Sequence, residues 1–267
     1  MKDDRLEMPA DPMRADPFAP GVIRLRQAVR ATFRAVVGEA PLILRVDQGR
    51  KVIRGGSYPP GLEGVEVPEG GLALMPAQVA LNVENHPAGN EPYRATGLLI
   101  PAGIAVPTGA SNSGTTSDQR ALAAFDRALD LMRRPGVPQS IRDHAVLEVL
   151  LWLDAVGIRL PPIGPVGLAD RIRQHVAQDL AHDWTARELA QALATSEATM
   201  RRRLATAGTG LSRLLTDLRM NRALGLLQCT DLPVAVIALD VGYASPSRFA
   251  LRFRERFGLS PRDVRGD

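Results

Sequence analysis

One segment of this chain is written twice. Leu189-Ala190, Leu193, Ser196, Met200 and Leu204 are answered by Ile237-Ala238, Val241, Ser245, Phe249 and Phe253, displaced by 48 residues before the turn and 49 after it. Each copy reads as a short helix, a small residue for close packing, a sharp turn and a Ser-capped second helix, which is a helix-turn-helix pattern. Any helical bundle can contain one such αα-hairpin, but two copies joined by a leucine-faced helix are a stronger constraint. The joining helix covers roughly 211–228, with Leu211, Leu215 and Leu218 on one face. At about 1.5 Å per residue it is about 27 Å long. Successive major-groove faces lie about 34 Å apart, so both second helices can enter one side of a duplex. The cap chemistry agrees. Thr185-Ala186-Arg187-Glu188 is a capping box, and Ser245-Pro246 is an N-cap followed by a proline at the first helical position.

The charge distribution points the same way. Residues 1–166 carry 18 Lys+Arg and 18 Asp+Glu, so the whole net charge of +4 falls in the last hundred residues. Every cation there is arginine, because the only lysines are Lys2 and Lys51. A neutral front and a basic back suit a polyanion partner for the back. One cysteine excludes a disulfide framework and any multi-cysteine metal site. No apolar run reaches the roughly 18 residues of a membrane span, and the start is acidic and Pro-rich, so a cytoplasmic protein without membrane contact is expected.

The expected class is α+β. Residues 1–20 read as a disordered tail. Residues 21–116 show short alternating runs broken by Gly-Gly and Pro-Pro pairs, as in a small barrel or sandwich. The expected inward set is Ile23, Leu25, Leu42, Leu44, Leu74, Val79, Leu81 and Val83. Residues 117–158 read as a helical pair. In its first helix Leu122, Phe125, Leu129 and Met132 repeat at spacings of 3, 4 and 3, a coiled-coil-like seam. The second helix is apolar nearly all round over 146–153. Together they predict a homodimer through Leu122, Phe125, Leu129, Met132, Leu150 and Leu153. Residues 159–166 read as a flexible linker, and 167–267 as the all-α domain with its two helix-turn-helix motifs joined by the long helix.

Residues 168–265 resemble the DNA-binding domain of the AraC/XylS family of bacterial transcription regulators. The resemblance rests on Trp184, Leu189-Ala190, Ser196, Arg202, Gly208 and Arg222-Ala223, then Ile237-Ala238, Gly242-Tyr243, Ser247, Phe249, Phe253, Phe257-Gly258-Leu259-Ser260-Pro261 and Arg265. It implies double-stranded DNA as partner and, for an activator, RNA polymerase. The positions it turns towards bases are Ala198, Thr199, Arg201 and Arg202 in the first motif and Ser247, Arg248 and Leu251 in the second. Arginine suits this, since a guanidinium grips guanine O6 and N7 bidentately. Leu251 stands where the family usually has Arg, with Arg252 one place along, so it either meets a thymine methyl or faces the core. Arg203, Arg254 and Arg256 suit phosphate.

The front half is similar to the family's cupin-like sensor domain through Glu69-Gly70-Gly71, Leu74-Met75-Pro76, Asn82 and Glu84-Asn85. Metal cupins carry histidines there. This chain has Gln78 and Asn82, with His86 in a turn, while His144, His175 and His182 fall on expected helices, so no metal and no cofactor is expected. No catalytic set can be nominated, and Cys229 has no identifiable partner. The resemblance leaves control by a small effector or by a partner protein open, and disfavours an enzyme with a DNA-binding tail. The strand arginines Arg24, Arg26 and Arg45 are candidates for gripping an anionic effector.

Overall fold

The computed structural model describes residues 21–54, 64–109, 111, 114–160 and 167–266. The expected tail 1–20 and residues 161–166 of the expected linker lie outside them. Eight described strands are β1 (Val22–Gln27), β2 (Ala31–Val37), β3 (Leu42–Gln48), β4 (Arg50–Arg54), β5 (Val65–Val67), β6 (Leu72–Met75), β7 (Ala80–His86) and β8 (Tyr93–Leu99). They form two four-stranded antiparallel sheets, ordered β1-β8-β3-β6 and β2-β7-β4-β5. Helices α1 (Gln119–Arg133) and α2 (Gln139–Ala155) follow. The rest is helical: α3 (Leu168–Val176), α4 (Ala186–Ala192), α5 (Glu197–Thr206), α6 (Leu211–Cys229), α7 (Val234–Asp240), α8 (Pro246–Phe257) and α9 (Pro261–Arg265).

Alternation sorts the first sheet into two buried faces. Leu44, Val46, Tyr93 and Ala95 turn towards the second sheet, where they meet Phe33, Ile53, Val67, Leu81 and Val83. Ile43, Leu72, Leu74 and Leu98 turn the other way, beneath α1 and α2. Leu74 is therefore not an inward residue as expected. A sheet covered on both sides has apolar residues at both parities, and period 2 cannot then tell in from out.

The same cover corrects the dimer seam. Phe125, Leu129, Leu150 and Leu153 are buried within the chain, packed on that sheet and on each other, and Leu122 and Met132 are partly buried against the same cluster. The apolar surplus of α1 and α2 goes to this sheet and to their mutual contact. What α2 leaves outside is Leu151, 55% exposed, and Ile141, 49% exposed.

The helical part does not hang free on a linker. Helix α6 lies against β1, α8 against β2 and α9 against β1. The inner core of the sandwich runs without a break into Met220, Leu224, Leu227, Phe253, Phe257 and Val264. Phe33 meets Phe257 edge-on, with ring centroids 5.5 Å apart, a geometry that adds about 1 kcal/mol to area burial. Backbone and side chain reinforce the joint: Ala28 N–H donates to the Val264 carbonyl at 3.0 Å, and Arg26 donates to the Arg265 carbonyl at 2.8 Å. The first helix-turn-helix keeps a core of its own, with Ile172, Val176, Leu189, Met200 and Leu204 packed under Leu214.

Candidate nucleic-acid interface and interior polar site

Both expected recognition helices start as their sequences predict. Ser196 Oγ accepts from Thr199 N–H at 3.1 Å, and Ser245 Oγ accepts from Arg248 N–H at 3.4 Å, satisfying donors that a helix start leaves open. Each helix then divides by period 3.6. Met200 and Leu204 hold α5 down, and Phe249, Phe253 and Phe257 hold α8 down. The opposite faces are open: Ala198, Arg201, Arg202 and Arg203 on α5, and Ser247, Arg248, Leu251, Arg252 and Arg254 on α8 are exposed, with Thr199 half-buried. Arg201 pairs with Glu197 at 3.2 Å and Arg252 with Glu255 at 2.8 Å, both exposed pairs of the kind that contribute little and open readily. Leu251 is 59% exposed, so it faces solvent rather than the core.

Arg256 is different. It pairs with Asp217 at 2.6 Å and donates to the Ala35 carbonyl at 3.3 Å, so it ties α8 to α6 and β2 and is not placed for phosphate. The two motifs are held to one another by Arg219, which donates from α6 to the carbonyls of Leu180 and His182. Gly242 completes that contact. Its φ of +84° suits glycine, and a Cβ there would lie 3.0 Å from the Leu180 carbonyl oxygen.

The strand arginines do not line an interior. Arg24 and Arg26 are exposed on the outer face of β1. Arg45 is on the outer face of the same sheet, engaged by Asp47 and Asp126 and lying over the Phe125 ring. The interior of the sandwich instead holds Lys51, which no sequence motif singles out. Paired to Asn85 and Val67 across the second sheet, Lys51 shares the inward face of β4 with Ile53. The residue is 6% exposed, and no carboxylate among the described residues pairs with its ammonium. The signal that could have found it is its isolation: it is one of two lysines in a chain of 33 cations.

Lys51 heads a buried line of side chains. Its Nζ donates to Asn85 Oδ1 at 2.8 Å. Asn85 Nδ2 donates to Gln27 Oε1 at 2.7 Å, and Gln228 Nε2, on α6, donates to the same oxygen at 2.8 Å. The Tyr93 ring lies 5.7 Å from Nζ, and the buried Tyr93 hydroxyl has no hydrogen-bond partner among the described residues. Burial pushes the Lys51 ammonium down to about 8 and, with the Asp47 charge nearby, pushes the Tyr93 phenol up.

His86 ends β7 rather than sitting in a turn, with Nε2 3.1 Å from Glu84 Oε1. His182 lies in the α3–α4 connection, not on a helix, and stacks edge-on to Trp184 as His175 does. Among the described residues there is no group of three or more potential metal ligands, and no helix is long and apolar enough to cross a membrane. Burial pushes the Cys229 thiol up to about 12, which leaves it unreactive at neutral pH.

A helix-turn-helix domain family matches residues 189–267. A putative AraC-like transcription regulator of Streptomyces antibioticus is 30% identical over 175 residues, covering 62% of this chain and 56% of that protein. The transcriptional regulator GadX of Escherichia coli is 33% identical over 127 residues, covering 46% of each. The chain thus spans about half the length of these curated relatives. Among solved structures, ToxT of Vibrio cholerae superposes with a TM-score of 0.63 at 13% identity, covering 91% of this chain and 95% of that one, a likeness of fold.

Lys51 gives a pH signature. Its folded ammonium loses its proton near pH 8, whereas the ordinary value is 10.5. Between the two the unfolded chain binds more protons, so stability rises with pH across that window, and the full cost of the buried charge is present below it. The urea midpoint of the parent protein should therefore rise relative to that of Lys51→Met from about pH 7.5 to about pH 10. A constant difference would mean that Lys51 titrates normally.

The repeated motif, its capped helices and the matched domain family agree: residues 189–267 form a helix-turn-helix domain, and about half of the chain is similar in sequence to AraC-like transcription regulators.

Proposed function

We propose that the protein is a cytoplasmic, sequence-specific regulator of transcription that reads double-stranded DNA with α5 and α8 and is controlled through its β domain. The observation that carries this reading is the pair of Ser-capped helices whose exposed faces are arginine-rich while their rear faces are pinned by Met200, Leu204, Phe249 and Phe253. Arg201, Arg202 and Arg248, with Ala198, Thr199, Ser247 and Leu251 beside them, are assigned to base edges, and Arg203, Arg252 and Arg254 to phosphate. Arg202→Ala should cost about 1–3 kcal/mol on the specific site and relax preference at one base pair. Arg254→Ala should weaken all sequences alike and shallow the salt dependence. Equal losses on specific and random DNA for Arg202→Ala would move that residue to phosphate.

Assembly as a homodimer is assigned to the outer face of α2, supported by exposed Leu151 and Ile141. Leu151→Glu should make the protein sediment as a monomer with its urea midpoint unchanged. Leu129→Glu, which puts a carboxylate in the cluster under α1, should lower that midpoint instead. Sedimentation of Leu151→Glu as a dimer would exclude this face. RNA polymerase is the further partner if the protein activates.

Control by a small acid with an apolar body is supported by Lys51, a buried cation that no carboxylate pairs with among the described residues, beside a phenol that has no hydrogen-bond partner among them. ToxT of Vibrio cholerae, which shares the fold, has been solved with an unsaturated fatty acid bound. A thermal-shift series of fatty and aromatic acids on the full chain is the test. At a hundred times its dissociation constant an effector adds about 2.7 kcal/mol, and Lys51→Met should abolish the effect. Stabilisation by neutral compounds alone would favour control by a protein partner.

A further inference from the structure

We propose that the buried line Lys51–Asn85–Gln27–Gln228 is an interdomain latch, through which the interior of the sandwich sets how firmly the second helix-turn-helix is seated on β1 and β2. The proposal builds on the regulatory reading above but concerns the joint itself and requires neither DNA nor an effector.

The joint is mostly apolar, and apolar contact is non-directional. Phe33 against Phe257, and Leu224 and Leu227 in the shared core, reward closeness but fix no register. The other side-chain contacts across it, such as Arg26 with the Arg265 carbonyl and Arg222 with Glu39 at 3.9 Å, each have an exposed partner. The polar line is different because it is buried along its length. Lys51 is 6% exposed, Asn85 1%, Gln27 0% and Gln228 9%. If α6 moves away, Gln27 Oε1 loses a donor and Gln228 must find water, so separation carries a desolvation cost that only this register avoids.

The hydrogen-bond directions make the line a relay. The Lys51 ammonium donates to the Asn85 carbonyl oxygen and so polarises the amide whose N–H serves Gln27. Gln27 Oε1 is then shared between Asn85 of the sandwich and Gln228 of α6, while Gln27 Nε2 is fixed by the Val29 carbonyl at 2.7 Å. The two donors meet on one oxygen, so a shift of Asn85 is felt directly by Gln228. Anything that changes what Lys51 holds therefore alters the grip on α6, although Lys51 belongs to the opposite sheet. The output is orientation rather than cover, because Ser247, Arg248, Leu251 and Arg252 stay exposed while the domain is seated. Gln27 and Gln228 act as positioning residues.

Hydrogen exchange on the full chain, without DNA, tests the latch. The Ala28 amide reports directly, since its N–H crosses the joint to the Val264 carbonyl. Gln228→Met removes one donor and leaves Gln27 Oε1 with Asn85, so it should speed exchange of Ala28 and of residues 253–265 about fivefold, the effect of one buried hydrogen bond. Lys51→Met should do the same from inside the sandwich, while residues 186–206 of the first motif stay unchanged. The decisive arm is the double variant. If Lys51 acts through Gln228, Lys51→Met adds nothing in the Gln228→Met background. Additive effects, a uniform rise across all segments, or no change in Ala28 and 253–265 would each overturn the latch. Since DNA is absent from the measurement, a failure here is separate from failure of the DNA-reading assignments.

Discussion

The sandwich has an open side, and the structure is organised around closing it. Two four-stranded sheets placed face to face leave inward apolar residues uncovered where β1 and β2 end the sheets. Here the cover is the second helix-turn-helix: α6, α8 and α9 seat on that side and continue its core through Phe33 and Phe257. A shared core of this kind makes two functional parts interdependent, because neither buries its apolar surface fully without the other. The first motif, with Met200 and Leu204 in a separate core, is joined to this unit through α6 and Arg219.

The duplicated motif thus has unequal surroundings. In the first copy the turn is made by Ala194 at φ 50°; in the second by Gly242, with the Leu180 carbonyl pressed against it. The rear of α5 meets only its own small domain. The rear of α8 meets a three-ring series, Phe249, Phe253 and Phe257, ending on a strand of the other domain. Two helices that read as repeats in sequence are therefore supported by different neighbours.

Much of the helical half was legible because its signals are local. Caps such as Ser196, Ser245 and the Thr185–Glu188 box depend on residues three apart, and the structure forms each of them. The β half was legible in its runs and not in its sides. Leu74 was misplaced because the first sheet is buried on both faces, one of them beneath α1 and α2, so apolar residues occur at either parity. Lys51 was not legible because it belongs to no motif and its neighbour Arg50 is exposed. The seam on α1 was a true buried seam whose partner proved to be a sheet and a neighbouring helix. Docking of the helical half could not be read at all, since Gln27 and Gln228 are 201 residues apart in sequence.

The exposure of the arginine faces in the seated state has a kinetic consequence. Encounter with a polyanion is governed by long-range charge, and those charges are already presented before any rearrangement. Arrival at DNA should then be fast and insensitive to the state of the β domain, and should slow with added salt in the same way whichever state prevails. On the proposed function, what the β domain would change is whether α5 and α8 are aligned well enough to stay. Regulation in such a molecule would be expressed in residence time, with the association rate left to ionic strength.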